Sequence, residues 1–465
     1  MSQTHKLLVP AVLAVSAALA APPAFAANDA MMQLLKVLKD KGTIDQETYD
    51  GLVNAAKADD EHVQFAEDEV KKAQKEQPKI DTKGKLEVTS ADKDFKFRIG
   101  GRLHIDATIP DNDRGTTRNT NFEDRATARR MRLYVEAQLW KKWAFKTEYD
   151  FADATTGGSP QTGLRDAWVR YLIGEKGDNI TGNVTLGQFV EYIALEEINS
   201  SNEMTFAERS VAAQAFDAAN GRRLGLGTQL ALYDKFNVSL GLFGRELGVT
   251  SADDSKRVTG RLVYSPVHYP GRVLHLGVAG SYISDFDGNT FTSNPRSEFD
   301  NPGGNRLLNT SIANADDGYR LAAEAAAVYG RFSLQGEYQN FNVNRRGVLS
   351  DPSFDAWYVQ GTVSLTGEPR NYSFEEARFK APKPNGIVGK GGWGAWALAL
   401  RYSSIDMLDK GLGGGEEDTL TAGLNWYATP NLRLLANYVK VLDLTGGNFN
   451  GAEPSAFILG SRLYF

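Results

Sequence analysis

Along Phe95 to Ile109, FKFRIGGRLHIDATI, apolar and polar residues alternate without a break. Phe95, Phe97, Ile99, Leu103, Ile105 and Ile109 fall on one face; Lys96, Arg98, Arg102, His104 and Asp106 fall on the other. A period of two predicts a strand with one greasy side and one basic side. The same period returns in ARRMRLYVEAQLW, WAFKTEYDF, RVTGRLVY, RVLHLGVAGSYI, YRLAAEAAAVY, RFSLQGEY, AWYVQGTVSL, WGAWALALRYS, DTLTAGLNWY, NLRLLANYV and AFILGSRLYF, and more weakly in LRDAWVRYL and NVTLGQF. With the alternations around Leu224–Leu232 and Phe236–Leu242, about sixteen strands result, each near the length of a tilted membrane strand.

The connections also alternate. Leu139 to Trp143, Tyr233 to Phe236, Tyr329-Gly330-Arg331 and Ala428-Thr429-Pro430-Asn431 are tight, whereas Pro110 to Thr127, Asp285 to Gly318 and Thr366 to Gly392 are long and polar. Short turns at one end and long loops at the other predict an all-β, antiparallel up-and-down barrel of the outer-membrane type, over residues 95–465. A soluble sandwich alternates too, but rarely reaches sixteen strands in one domain. Propeller repeats of about 40 residues are not seen. Trp140, Trp143, Tyr149, Tyr329, Trp426 and Tyr427 gather at strand ends, where interface girdles form. The final strand ends in Arg462-Leu463-Tyr464-Phe465, an aromatic at the last position.

The start of the chain is of another kind. Lys6, the apolar LLVPAVLAVSAALA and the small-x-small Ala24-Phe25-Ala26 predict a signal peptide over 1–26, too short and too Pro-interrupted for a membrane anchor. In residues 27–78, Met32, Leu35 and Leu38 recur at helical spacing up to Gly42, and Thr43 with Gln46 reads as a capping box for a second, charged helix ending before Pro78. A helical hairpin running into a coiled coil is expected there. The alternatives are a solvated spacer without a partner and an oligomerising helix; contact of this segment with the cell wall belongs to an envelope-tethering reading. Residues 79–94 read as a linker.

Composition narrows the function. The 465 residues carry a formal charge of −6, against a general nucleic-acid binder, and cleavage of the leader removes one Lys and no acid. No cysteine is present, which excludes disulfides and thiolate chemistry and fits export to a bacterial envelope. The five His are scattered without metal-ligand spacing, and neither a nucleophile elbow nor a nucleotide-binding strand-Gly-helix context occurs. No enzyme, cofactor or metal is expected.

The motifs FRIGGRLHID, LRDAWVRY, GNVTLGQFVEYIALEEINSSNEMTFAERS, GRRLGLG, GKGGWGAWALALRYSSID and TAGLNWYATPNLRLLANYV, with the ARRMRL strand pair, resemble the phosphate-selective porin family, the outer-membrane porins O and P. The resemblance covers essentially the whole barrel. It implies a sixteen-stranded homotrimer in the outer-membrane lipid of a Gram-negative bacterium, with a loop folded into the pore. It also implies passive uptake of small anions, phosphate or polyphosphate above all. The 190–222 stretch, too long for a turn, is the candidate constriction loop; an ordinary extracellular loop is the alternative.

Anion selectivity needs a ladder of cations in a narrow passage, and Arg serves best because its planar fork stays charged and grips phosphate in pairs. The inward-facing candidates are Lys96, Arg98, Arg102, Arg130, Arg132, Arg223, Arg245, Arg257 and Arg261, with Arg209 in the loop. Lumen Arg also pairs with Glu136, Glu148, Asp150 or Glu324 to brace a wall. The loop carries Glu191, Glu196, Glu197, Glu203 and Glu208 against Arg209 alone. Phosphate-specific relatives carry lysine in it, where Val190 and Asn202 stand here. A weakly selective porin, or a barrel with a mainly structural, envelope-tethering task, is the alternative reading.

Overall fold

The structure, a computed structural model, describes residues 24–111, 122–152, 163–216, 221–247, 255–286, 289–299, 306–447 and 449–465. Most of the expected signal peptide, the tip of the 110–127 loop and part of the constriction loop lie outside the described residues. The chain divides into two units, Met1–Pro78 and Lys79–Phe465.

The first unit holds α1 (Ala24–Asp40) and α2 (Gln46–Glu76). Gly42, at φ +69°, ends the first helix, its amide bonded to Lys39 O, in the left-handed conformation that glycine adopts freely. The expected capping box is corrected. Asp45, not Thr43, caps α2, its Oδ1 accepting from Thr48 N at 2.8 Å, while Gln46 donates to Asp50. Carboxylate and backbone donor are three residues apart here, so the helix starts later than the Thr43 pattern implied. Leu34, Val37, Leu52, Phe65 and Val70 remain exposed.

The second unit begins with β1 (Lys79–Asp81) and β2 (Leu86–Thr89), where a linker was expected. The barrel proper follows in β3 (Phe95–Asp111), β4 (Arg125–Leu139), β5 (Trp143–Asp150), β6 (Leu164–Ile173), β7 (Ile180–Val190), β8 (Arg222–Leu232) and β9 (Phe236–Phe243). It continues in β10 (Lys256–Tyr269), β11 (Arg272–Ser284), a lumenal hairpin β12 (Thr290–Ser293) and β13 (Thr310–Ala313), then β14 (Ala315–Tyr329), β15 (Phe332–Arg345) and β16 (Ser353–Ser364). A second small hairpin, β17 (Asn371–Ser373) and β18 (Arg378–Lys380), precedes β19 (Ala395–Asp409), β20 (Leu412–Thr429), β21 (Leu432–Thr445) and β22 (Ser455–Tyr464). Leaving out β1, β2 and the two hairpins, sixteen strands pair antiparallel in order, and β22 closes on β3 from Ser455↔Asp111 to Tyr464↔Arg102.

The alternation sorts inside from outside. Leu133, Leu240, Leu321, Leu400 and Leu459 point out and are exposed, whereas their neighbours Arg132, Ser239, Arg320 and Arg401 are buried within the barrel. A one-residue slip would carry an arginine to the lipid side, at about 2–4 kcal/mol near the bilayer midplane, so the register is strongly specified.

Below Arg102 the free edge of β3 is taken over by β2, from Leu86↔Ile99 to Thr89↔Lys96. The Asn431 side-chain amide donates to Gly84 O at 3.0 Å and Tyr464 O at 2.8 Å, joining the two successive partners of β3. The expected linker is therefore part of the wall, because β22 pairs with β3 only as far as Arg102 and leaves its first residues to β2.

The tight connections at 140–142, 233–235, 270–271, 330–331 and 430–431 lie at one end, as the pattern predicts. Two connections break the rule. The 365–394 segment, read as a member of the long-loop end, leaves β16 at the short-turn end, where Leu365 N meets Trp396 O and Val388 N meets Ala428 O. Conversely, Lys410-Gly411 turns tightly at the other end, both with positive φ, at 51° and 75°. For these two, polarity and length do not tell the rim; it follows from counting strands.

The barrel is not evenly open. Phe291, Phe341, Phe354, Met407, Val439 and Leu444 belong to one apolar cluster that fills the long-loop half on the β14–β22 side. The remaining space lies beside β3–β8.

A basic cavity beside a docked constriction loop

The segment between β7 and β8 folds inward, carrying the short helices α3 (Leu195–Ile198) and α4 (Val211–Gln214). Its five glutamates hold it there. Glu191 accepts from Arg257 at 3.1 Å, Ser281 at 2.7 Å and Thr259. Glu196 accepts from Arg401 at 3.2 Å and Ser210 Oγ at 2.6 Å. Glu197 meets Arg320, and Glu203 accepts from Ala381 N. Glu208 takes both Nε and Nη2 of Arg129, at 2.5 and 2.9 Å, with Arg130 at 3.8 Å. Burial pushes the Glu208 carboxyl up, but the Arg129 and Arg130 guanidiniums outweigh it and hold the group down at about 2. From the wall, Glu337 accepts the backbone N–H groups of Leu195 and Glu196 at 2.9 and 2.7 Å. The loop's acids are thus its anchors rather than free charges in the passage.

Arg209, the loop's lone cation in sequence, caps its own backbone, donating to the carbonyls of Glu196, Glu197 and Asn199 at 2.8, 3.3 and 2.9 Å. From β3, Arg102 donates to Ser201 Oγ at 2.9 Å and Glu148 at 3.2 Å, and His104 Nε2 lies 3.0 Å from Asn202 Oδ1. Two consecutive inward residues of one strand therefore position the loop tip Ser200–Asn202.

A cavity of about 1340 Å³ lies between this tip and the wall of β3–β8. Of the sequence candidates, Arg98, Arg102, Arg130, Arg132 and Arg209 line it. The others stand elsewhere. Lys96 pairs with Glu87 of β2 at 3.1 Å, at the short-turn rim. Arg223 donates to Gly244 O and Ser255 Oγ. Arg245 is exposed beyond β9. Arg257 anchors Glu191, and Arg261 is bound to Glu324 at 2.6 Å and Ala377 O at 3.0 Å.

Several lining cations escaped the sequence reading, among them Arg129, Lys146, Arg165, Arg170, Arg222 and Arg378. Arg129 is the instructive one. Strict alternation sends it to the lipid face, but the β3–β4 register slips between His104↔Arg130 and Ile105↔Ala128, leaving Arg129 in a bulge. A bulge re-aims one side chain, and here it brings two successive arginines to Glu208. Arg378 and Lys380 enter from the opposite rim on β18, where Arg378 donates to Ile198 O at 3.0 Å.

Residues 97–444 match the family described as phosphate-selective porin O and P. The chain belongs to the phosphate-selective porin O and P family. Porin O of Pseudomonas aeruginosa is 30% identical over 404 residues, covering 80% of this chain and 89% of that protein. An uncharacterised protein of Caulobacter vibrioides is 28% identical, over 81% of this chain and 73% of its own. Among solved structures, OmpT of Vibrio cholerae superposes with a TM-score of 0.51 at 12% identity, over 80% of this chain and 98% of OmpT, a likeness of fold. The porin reading and the sixteen-strand barrel read from the period-two pattern hold. This member of the family is an outer-membrane anion porin of a Gram-negative bacterium, with the short-turn end periplasmic.

Proposed function

We propose that the anion this porin favours is phosphate, with its condensed forms, and that it passes through the cavity beside β3–β8. One observation carries the reading: the constriction loop's acids are taken up by wall arginines and backbone donors. The described residues lining the cavity then hold fifteen Lys and Arg against ten Asp and Glu, in a chain of net charge −6. Low-dielectric walls focus such a field on the passage. Arg98, Arg102, Arg130 and Arg132 are the first candidates to meet the ion. Lys96, Arg209, Arg223, Arg257 and Arg261 serve as braces of loop and wall, and Arg245 stands exposed beyond β9. Because most lining arginines share a carboxylate, each grips an ion weakly, as passage requires. The family supports a homotrimer, and the exposed apolar residues of α1 and α2 support a periplasmic contact of that unit, with the cell wall or with its copies.

Planar-bilayer recording tests the reading. In a salt gradient the reversal potential should sit on the anion side, and inorganic phosphate should block the chloride current. A chloride current indifferent to phosphate removes the phosphate claim and leaves a general anion porin.

A further inference from the structure

Below the loop tip, towards the periplasmic rim, the cavity wall changes character. Arg102, Arg129, Arg132 and Arg222 each reach a carboxylate. Arg98 and Arg170, which line the same cavity, make no ion pair among the described residues; each lies instead against a ring. The Arg170 guanidinium sits 4.1 Å from the centre of Trp168, two residues back on β6, and its Nε donates to Thr185 Oγ1 at 2.9 Å. Its terminal amino groups have no hydrogen-bond partner among the described residues. Arg98 lies 5.5 Å and Lys146 Nζ 5.1 Å from the centre of Tyr134. Gly100 makes this possible: a Cβ there would stand 2.2 Å from the Tyr134 ring, so glycine alone lets the tyrosine lie across β3 and turn a face to the two cations.

Resting on the anion reading above, we propose that this part of the pore is a second subsite, which takes organic anions bearing a planar ring, such as aryl phosphates and aromatic carboxylates. A guanidinium with one face on an indole offers its other face for stacking, and its amino groups for an anionic oxygen. The guest's ring stacks on Arg170, and its anionic group meets Arg98 or the Arg170 fork. Glu136, opposite Arg98 across the β3–β4 pair and lining the same cavity, opposes a highly charged guest. The subsite therefore favours a ring with one anionic group over a long polyphosphate.

The test compares inorganic phosphate with phenyl phosphate as blockers of chloride current through the purified full-length porin. Wild type should be half-blocked at a phenyl phosphate concentration about tenfold below that for phosphate, the size expected of one desolvated cation–ring contact. Arg170→Lys keeps the charge and loses the flat face, so that ratio should fall towards one; Arg98→Lys checks the second guanidinium in the same way. Equal block by the two compounds in wild type overturns the subsite, while the phosphate reading survives on the phosphate arm alone. A ratio unchanged in both variants also overturns it.

Discussion

Arg129 of the barrel wall and Glu208 of the constriction loop form a two-pronged pair at 2.5 and 2.9 Å, across 79 residues of sequence. The pair exists because β4 bulges at Arg129; a regular strand would leave that guanidinium in lipid and the loop acid facing Arg130 alone.

Replacing Glu208 with Gln should therefore both loosen the loop and bare two guanidiniums in the passage. Removing one partner of a buried pair costs about 3–5 kcal/mol. Single-channel records of Glu208→Gln should show more open-state noise, with a reversal potential moved further to the anion side. An unchanged reversal potential would mean the Arg129–Glu208 pair lies off the ion path.

The same pair sets a pH limit. Glu208 is held at about 2, below an ordinary carboxyl, so its contribution to docking is complete above the usual carboxylate range and disappears only as pH falls through about 2. Conductance should be flat from neutral down to about pH 4 as far as this anchor is concerned. Arg129→Gln leaves Glu208 buried with Arg130 alone, at 3.8 Å, so loop noise should set in at a higher pH than in wild type.

Arg401 joins three elements. It donates to Glu196 of the constriction loop at 3.2 Å, and to Glu298, from the segment between β12 and β13, at 2.5 and 3.0 Å. Ser403 and Thr421 also donate to Glu298, the latter at 2.5 Å. Arg401→Ala leaves two buried carboxylates facing each other and should cost about 3–5 kcal/mol, read as a lower temperature for loss of the compact barrel band on unheated gels. Arg346→Ala, whose pair with Asp316 is exposed, should change that temperature little.

Deleting residues 28–76 should leave conductance and ion preference as they are and abolish any cell-wall association, since no barrel strand lies in that stretch. Extending the deletion through residue 94 should be different. Without β2, the Lys96–Ile99 edge of β3 loses its ladder partner, and amide exchange at Phe97 and Ile99 should rise sharply.

The barrel was legible because its two solvents demand opposite residues on successive positions, and FKFRIGGRLHIDATI carries that demand in full. All sixteen barrel strands fall on segments that alternate. The candidate site was legible only in part. Arg98, Arg102, Arg130 and Arg132 fall on the inward parity and line the cavity, but parity cannot see a bulge, so Arg129 was lost. Nor can it say which acid meets which arginine: Glu196 and Arg401 lie 205 residues apart, and their pairing depends on how the loop lies across the lumen. The acidic constriction loop therefore argued against phosphate in sequence and ceases to do so once its partners are known. The β17–β18 hairpin, with Arg378 and Lys380, carried no periodic signal long enough to read.

The hairpin carries a consequence for assembly. Arg378 bonds Ile198 O and Ala381 N bonds Glu203, contacts that span 180 and 178 residues. The two inserts approach from opposite rims of the cylinder, one from the cell surface and one from the periplasm. Neither half of the eyelet can find the other until the strands between them have been threaded and paired, because contacts so distant in sequence form late. A barrel caught midway through insertion is a wide, indiscriminate hole, and selectivity arrives as one of the last events of its biogenesis.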